Sequence, residues 1–312
     1  MHPAFSVILF TTMSGAGYGL LFLLGVLAGT PLLPDRAWFG FAGLALSLGL
    51  ATIGLLASTF HLGHPERAWR AFSQWRSSWL SREGVAAVAT FLPAGVFGLA
   101  WVFFDRILFW AGWASAAMAL VTIYCTAMIY ASLKPIPRWH NAWVPLNYLL
   151  LAAMTGALLL QTLLDLFGQP AEPLAWLACA TIVVAGLGKL AYWRYIDREG
   201  PTASAESATG LGGLGKVHLL EAPHSEPNYL MNEMGFRIAR KHAARLRRIA
   251  LGFGFAAPLA LTLLALILPS PAAAIAATLA AACSLLGVLV ERWLFFAEAK
   301  HSVMLYYGAA TV

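Results

Sequence analysis

Apolar residues follow one another along this chain in eight long, uninterrupted runs. They cover Phe5–Gly29, Ala37–Phe60, Gly84–Phe104, Ile107–Leu133, Ala142–Leu164, Leu174–Tyr195, Ile249–Leu268 and Pro271–Phe296. A helix needs about 20 apolar residues to cross a hydrocarbon core, and each run meets that length. The predicted fold class is therefore an all-α integral membrane protein, a single bundle of eight transmembrane helices. The sixth run carries Lys189 and Arg194 near its end, where long side chains can reach the interface. The eighth carries Glu291 and Arg292 in its last turns, and only Pro269-Ser270-Pro271 separates it from the seventh, which predicts a tight hairpin. The first run reads as a span rather than a cleavable signal. It is too long for a signal core, lacks a basic leader, and has no clear small-residue cleavage site before Pro31.

Composition points the same way. Of 312 residues, 60% are hydrophobic and 11% charged, where a soluble domain has about 25% charged residues. With a mean hydropathy of +0.73, too few charges remain to cover a water-facing surface. The pI of about 9.4 does not argue for nucleic acid, because the basic residues lie between the apolar runs, where they orient the chain in a bilayer. Eight spans place 18 of the 20 lysines and arginines on the side of the N-terminus and leave Arg36 and Arg106 on the other. Positive residues stay on the cytoplasmic side, so both termini are expected there. The three cysteines fall in three different runs without paired spacing, which reads as small buried residues.

The longest connection, residues 196–248, is also on the basic side. Gly200–Gly215 is rich in Gly, Ser, Ala and Thr and reads as flexible. In Asn228–Arg248, Met231, Met234, Ile238, Ala239 and Leu246 recur near helical spacing among basic residues. That pattern predicts a basic amphipathic helix on the cytoplasmic face, either resting on anionic lipid or docking a soluble partner.

Ionisable groups near a membrane interior each need a reason. The richest cluster joins spans two and three. His61 ends span two, and Glu83 opens span three with Ser81 as a plausible N-cap; Arg67, Arg70, Arg76 and Arg82 lie between them. Quinone chemistry calls for such a place: an apolar slot for a flat head group, hydrogen-bond partners for two oxygens, and a proton path to water. Histidine titrates near neutrality, and a partly buried carboxyl can join it. The plainer reading is an interfacial belt, since Trp69, Trp75 and Trp79 with four arginines suit lipid headgroups. Tyr130, Lys134, Arg138, Trp139, His140 and Asn147 form a second group, and Glu291, Arg292, Glu298, Lys300 and His301 a third. Adjacent on a helix, Glu291 and Arg292 point about 100° apart and need not pair. Tyr130, His140 and Arg292 are the next candidates for head-group contacts. There is no cysteine cluster, no heme-attachment motif and no Walker loop, and His61 alone stands well placed at a span end. Neither heme nor iron–sulfur cluster is expected in this chain, so a partner chain must bring the electron carriers. A secondary transporter is the alternative, but its polar or broken mid-membrane helices are not visible here. A cytochrome lacks its histidine pairs.

The run Thr59-Phe60-His61-Leu62-Gly63-His64-Pro65-Glu66-Arg67-Ala68, continued by Ser78-Trp79-Leu80-Ser81-Arg82-Glu83, resembles the signature of the dimethyl sulfoxide reductase anchor-subunit family. Pro137-x-Trp139, Trp143-x-Pro145 and Arg292 with Phe295-Phe296 resemble later stretches of it. The resemblance implies a heme-free subunit of a bacterial inner membrane. Such a subunit holds a molybdopterin catalytic chain and a four-cluster iron–sulfur chain on the cytoplasmic face and exchanges electrons with ubiquinone or menaquinone. It further implies quinol-binding roles for His61 and Glu83. The long basic segment Gly200–Arg248 is similar to relatives that serve sulfite dehydrogenases.

Overall fold

The computed structural model describes residues 2–221, 223–224, 226, 228–234 and 238–312, with the backbone alone for residues 61 and 238–241. Inside lipid every backbone N–H and C=O must find its partner within the chain, and helices meet that requirement locally. The helices in order are α1 (Phe5–Leu27), α2 (Ala37–Ala57), α3 (Trp79–Phe104), α4 (Phe109–Ala131), α5 (Trp143–Leu166), α6 (Glu172–Arg198), the short α7 (Ala205–Thr209) and α8 (Tyr229–Met234), then α9 (Ile238–Leu251), α10 (Ala257–Ile267) and α11 (Ala272–Ala297). Eight stretches among the described residues are long and apolar enough to cross a membrane; the seventh, His242–Ile267, joins α9 to α10 through a π-turn at Gly252–Ala256. The chain is a multi-pass, all-α membrane protein.

Three local features differ from the sequence pattern. The third span begins at Trp79, a turn before the apolar run at Gly84. Ser78 rather than Ser81 therefore stands at the N-cap, and Glu83 lies inside the helix. Within the extra turn Ser81 is buried, and its hydroxyl donates to the carbonyl of Ala71 in the preceding 3-10 segment, which ties the turn to the loop. Second, the amphipathic stretch from Asn228 is described as two helices, and residues 235–237 between them lie outside the described residues. From Ile238 onward it is the basic stem of the seventh span rather than a separate surface helix. Third, Lys189 does not reach for the interface; it is buried in the bundle.

Helix α1 is the centre of the bundle, in contact with α2, α4, α5 and α11. Its approach to three of them depends on glycine. A Cβ at Gly17 would run into Ser47 and Ala51 of α2, one at Gly19 into the backbone of Ala152 on α5, and one at Gly25 into Gly112 on α4. The relation is mutual, since a Cβ at Gly156 or Gly112 would meet Gly19 or Gly25. Helices in lipid gain little from hydrophobic burial against one another and rely on close backbone contact across small residues.

Both chain ends lie on one face. The His2 N–H donates to the Glu233 carbonyl at 2.6 Å, and the Ser302 N–H to the Pro135 carbonyl in the α4–α5 loop at 2.9 Å. The C-terminal residues also pair with the loop after α6, through Thr202 N–H to the Val312 carbonyl and Val312 N–H to the Ala203 carbonyl.

Replacing Gly19 by Val should cost about 1–3 kcal/mol through overpacking, read as a lower melting temperature of the detergent-solubilised chain. Gly15 has nothing within 4 Å of a built Cβ, so Gly15→Ala should leave stability within about 0.5 kcal/mol of the parent. Equal effects at the two positions would contradict the central place of α1.

Candidate functional site

On the face that carries both chain ends, polar side chains reach inward from five helices. Glu83 of α3 is only 5% exposed, and its Oε1 accepts from the Thr126 hydroxyl of α4 at 2.8 Å. Among the described residues no cation is ion-paired with it. Thr126 lies one turn from Tyr130, which packs against Tyr148 of α5 with ring centroids 6.0 Å apart. The guanidinium carbon of Arg292 on α11 sits 3.7 Å from the Tyr148 ring centroid. Arg292 Nε is 3.4 Å from Glu291 Oε2, and the other Glu291 oxygen is ion-paired with Lys189 of α6. Rotation about the side chains thus brings Glu291 and Arg292 together although their Cα–Cβ directions diverge. Lys189 also lies 4.2 Å from the Tyr192 ring centroid.

A second ionic group closes this string toward water. Arg247 of α9 bridges Asp197 of α6, at 2.5 and 3.0 Å, and Glu298 just beyond α11, at 2.8 Å. The Arg138 guanidinium donates to the Glu298 carbonyl at 3.1 Å, and the Tyr192 hydroxyl to the Arg138 carbonyl at 3.0 Å. The indole of Trp139 donates to the Phe295 carbonyl at 2.9 Å and stacks on the Phe295 ring. This fixes the α4–α5 loop against the end of α11. His301 lies just beyond; its Nδ1 accepts from the Val303 N–H at 3.0 Å. Partial burial holds its pKa below the ordinary histidine value.

The candidates from the sequence separate into two sets. Glu83, Tyr130 and Arg292 are buried and share the interior string. Arg67 and Arg70 are exposed on the 3-10 segment Pro65–Gln74. Arg82 turns outward as well, donating to the carbonyls of Trp75 and Arg76 at 3.0 and 2.7 Å, with its guanidinium 4.3 Å from the Trp79 ring centroid. Hydration explains the division: a guanidinium left in water and against indole faces avoids the cost of burial. His140 Nδ1 pairs with the Ala131 carbonyl at 2.7 Å, where it closes the end of α4. The backbone of His61 ends the 3-10 turn after α2, and that turn packs against α1; its side chain lies outside the described residues.

Besides Thr126, three residues of this region were not singled out for it by the sequence. Tyr18 of α1 is 1% exposed, its hydroxyl has no hydrogen-bond partner among the described residues, and it lies within electrostatic range of Glu83. The only hint was a polar ring inside a glycine-rich run. Tyr148 gave none. Lys189 gave one, a charge inside an apolar run, which the interface argument absorbed.

The DMSO reductase anchor subunit (DmsC) family matches residues 1–297. The chain belongs to that family. This anchor subunit is also 33% identical to a sulfite dehydrogenase subunit of Allochromatium vinosum, over 98% of its own length and 99% of the relative's. It is 32% identical to a chain of the anaerobic dimethyl sulfoxide reductase of Escherichia coli over a shorter stretch, 38% of its own length and 42% of the relative's.

The ion triad of this anchor subunit makes an ordered prediction. Glu291→Gln strands two buried cations against each other and should cost about 3–5 kcal/mol, whereas Lys189→Met leaves the Glu291–Arg292 pair intact and should cost less. Thermal unfolding of both variants in the same detergent tests this, and the reverse order would contradict the shared pairing.

Proposed function

We propose that this subunit is the quinone-reactive anchor of a three-subunit oxidoreductase, passing electrons between a four-cluster iron–sulfur chain and the quinone pool. The observation that carries the reading is Glu83, a buried carboxyl whose one hydrogen-bond partner among the described residues is the Thr126 hydroxyl. The residue types present are those a quinone head group would need. The Tyr18 hydroxyl is buried without a partner, aromatic rings line the interior around Tyr130, and an acid and a phenol stand in reach of one another's charge.

A bound quinone supplies a couple of two electrons and two protons. His61 would give one hydrogen bond to a head-group oxygen. Glu83 would hold a proton at its carboxyl and exchange it with that oxygen, with His61 or with water. Thr126 orients the carboxyl through its 2.8 Å bond. Tyr130 and Arg292 shape the apolar and cationic floor of the site. His140, tied to the end of α4, holds the α4–α5 loop beside it. Arg67, Arg70 and Arg82 set the potential at its mouth and hold the loop. The anchor itself carries neither heme nor iron–sulfur cluster.

The molybdopterin catalytic chain and the iron–sulfur chain dock on the face that carries both termini. The 18 lysines and arginines assigned to that face support reading it as the cytoplasmic one, in a bacterial inner membrane. End-to-end similarity to a sulfite dehydrogenase subunit supports sulfite as the electron donor and ubiquinone or menaquinone as the acceptor. The shorter match to a dimethyl sulfoxide reductase chain supports the reverse direction as the second reading.

Two experiments test this. In the intact complex, Glu83→Gln should lower quinone-coupled turnover by on the order of 10² while activity with an artificial dye survives; His61→Ala should do the same and weaken quinone-site inhibitors. Parental coupling in both variants would place the site elsewhere. Reporter fusions at the two termini should both read cytoplasmic, and an external reading at Val312 would overturn the orientation.

A further inference from the structure

The opposite membrane face holds a pocket that the quinone reading does not use. It opens between the α5–α6 loop and the turn from α10 to α11 and encloses about 370 Å³. Gln161, Asp165, Gln169, Glu172 and Ser270 supply its polar lining, and Pro170 and Leu268 are among its apolar residues. Gln161 and Asp165 stand four residues apart on α5, so they share one helix face. Gln161 is 1% exposed, and its Oε1 has no hydrogen-bond partner among the described residues. Asp165 is half-buried, with the Gln161 amide close enough to donate to its carboxyl, yet its inward oxygen Oδ2 meets no partner at hydrogen-bond geometry among the described residues.

These free atoms are acceptors, so whatever satisfies them must donate. Charge narrows the choice. Among the described residues neither Asp165 nor Glu172 enters an ion pair, and Arg36 and Arg106, the two basic residues assigned to this face, belong to other loops. A carboxylate near the bilayer without a counter-charge is costly, which favours a cationic donor over a neutral phenol. No cluster of three metal-ligating side chains occurs among the described residues, and the volume exceeds what one bare ion needs. The remaining wall is apolar, with Ala265 and Ala273 beside Leu268, at the level where helix ends meet lipid headgroups.

We propose that this pocket binds the primary ammonium of an aminophospholipid headgroup from the leaflet opposite the basic loops. The ammonium donates to Gln161 Oε1 and Asp165 Oδ2, Glu172 adds its charge at the mouth, and the acyl chains lie along α10 and α11. Three N–H donors in a compact group match acceptors one helical turn apart. A choline headgroup carries the same charge without an N–H and leaves both oxygens unsatisfied. The site would tie the α5–α6 loop to the last hairpin independently of electron transfer.

The test uses the full-length chain in mild detergent, with retained lipid counted by native mass spectrometry. Phosphatidylethanolamine should be held roughly ten-fold more tightly than phosphatidylcholine or phosphatidylglycerol, as expected when charge-assisted hydrogen bonds are made to one headgroup and not to the others. Asp165→Asn and Gln161→Leu should each reduce its retention by about five-fold or more. Glu172→Gln, at an exposed position where folding is not at stake, should reduce it about two-fold. Equal retention of the ethanolamine and choline lipids would overturn the proposal, as would parental retention in Glu172→Gln together with Asp165→Asn. Displacement by soluble glycerophosphoethanolamine at the same concentration as the lipid would also overturn it, because the occupant would then be a free amine.

Discussion

The closeness of α1 to its neighbours is the constraint on which the rest of the bundle depends. In a bilayer a helix gains little by trading lipid tails for apolar side chains, so backbones must come near enough for dispersion across small residues to accumulate. Gly17, Gly19 and Gly25 admit α2, α5 and α4 in turn. Once these are seated, Tyr18 must point into the space between them, and Glu83, Tyr130 and Tyr148 come within electrostatic reach of one another. The polar interior follows from where glycine lets α1 sit.

The two faces of the bundle are built from different chemistry. Around Glu291, Lys189 and Arg292, charges are buried and shared, and Arg247 carries the pairing outward to Asp197 and Glu298. These contacts join α6, α9 and α11, whose sequence separations are large, so their geometry is set by long-range packing and not by adjacent turns. Near the other face the core is aromatic: Phe39, Phe97 and Trp101 are fully buried, and the Trp101 indole donates to the Asp35 carbonyl at 3.2 Å. Among the described residues, ion pairs are thus confined to one end of the bundle interior, while rings occur at both. The exposed rings of Trp69, Phe72 and Trp75, interleaved with arginines, give the ion-paired end a surface able to meet either headgroups or protein.

The apolar runs made the eight spans legible, because the cost of taking a residue from water into hydrocarbon is a property of that residue and adds up along the chain. The expectation of sidedness rests on similar ground: it depends on which loops hold lysine and arginine. Glu83 could be singled out as a carboxyl beside an apolar run, and the residues around His61 and Glu83 pointed to the anchor-subunit family that the whole chain matches. Tertiary structure alone decided which of the surrounding groups share space with Glu83. Arg82 is adjacent in sequence yet turns to water, whereas Tyr18, Thr126 and Tyr148 come from three other helices. The partnership of Lys189 with Glu291 and the free oxygens of Gln161 and Asp165 were equally hidden. Each depends on how helices rotate and which neighbours they choose. Those choices follow from the packing of many small contacts between distant segments, which periodicity within one segment does not record.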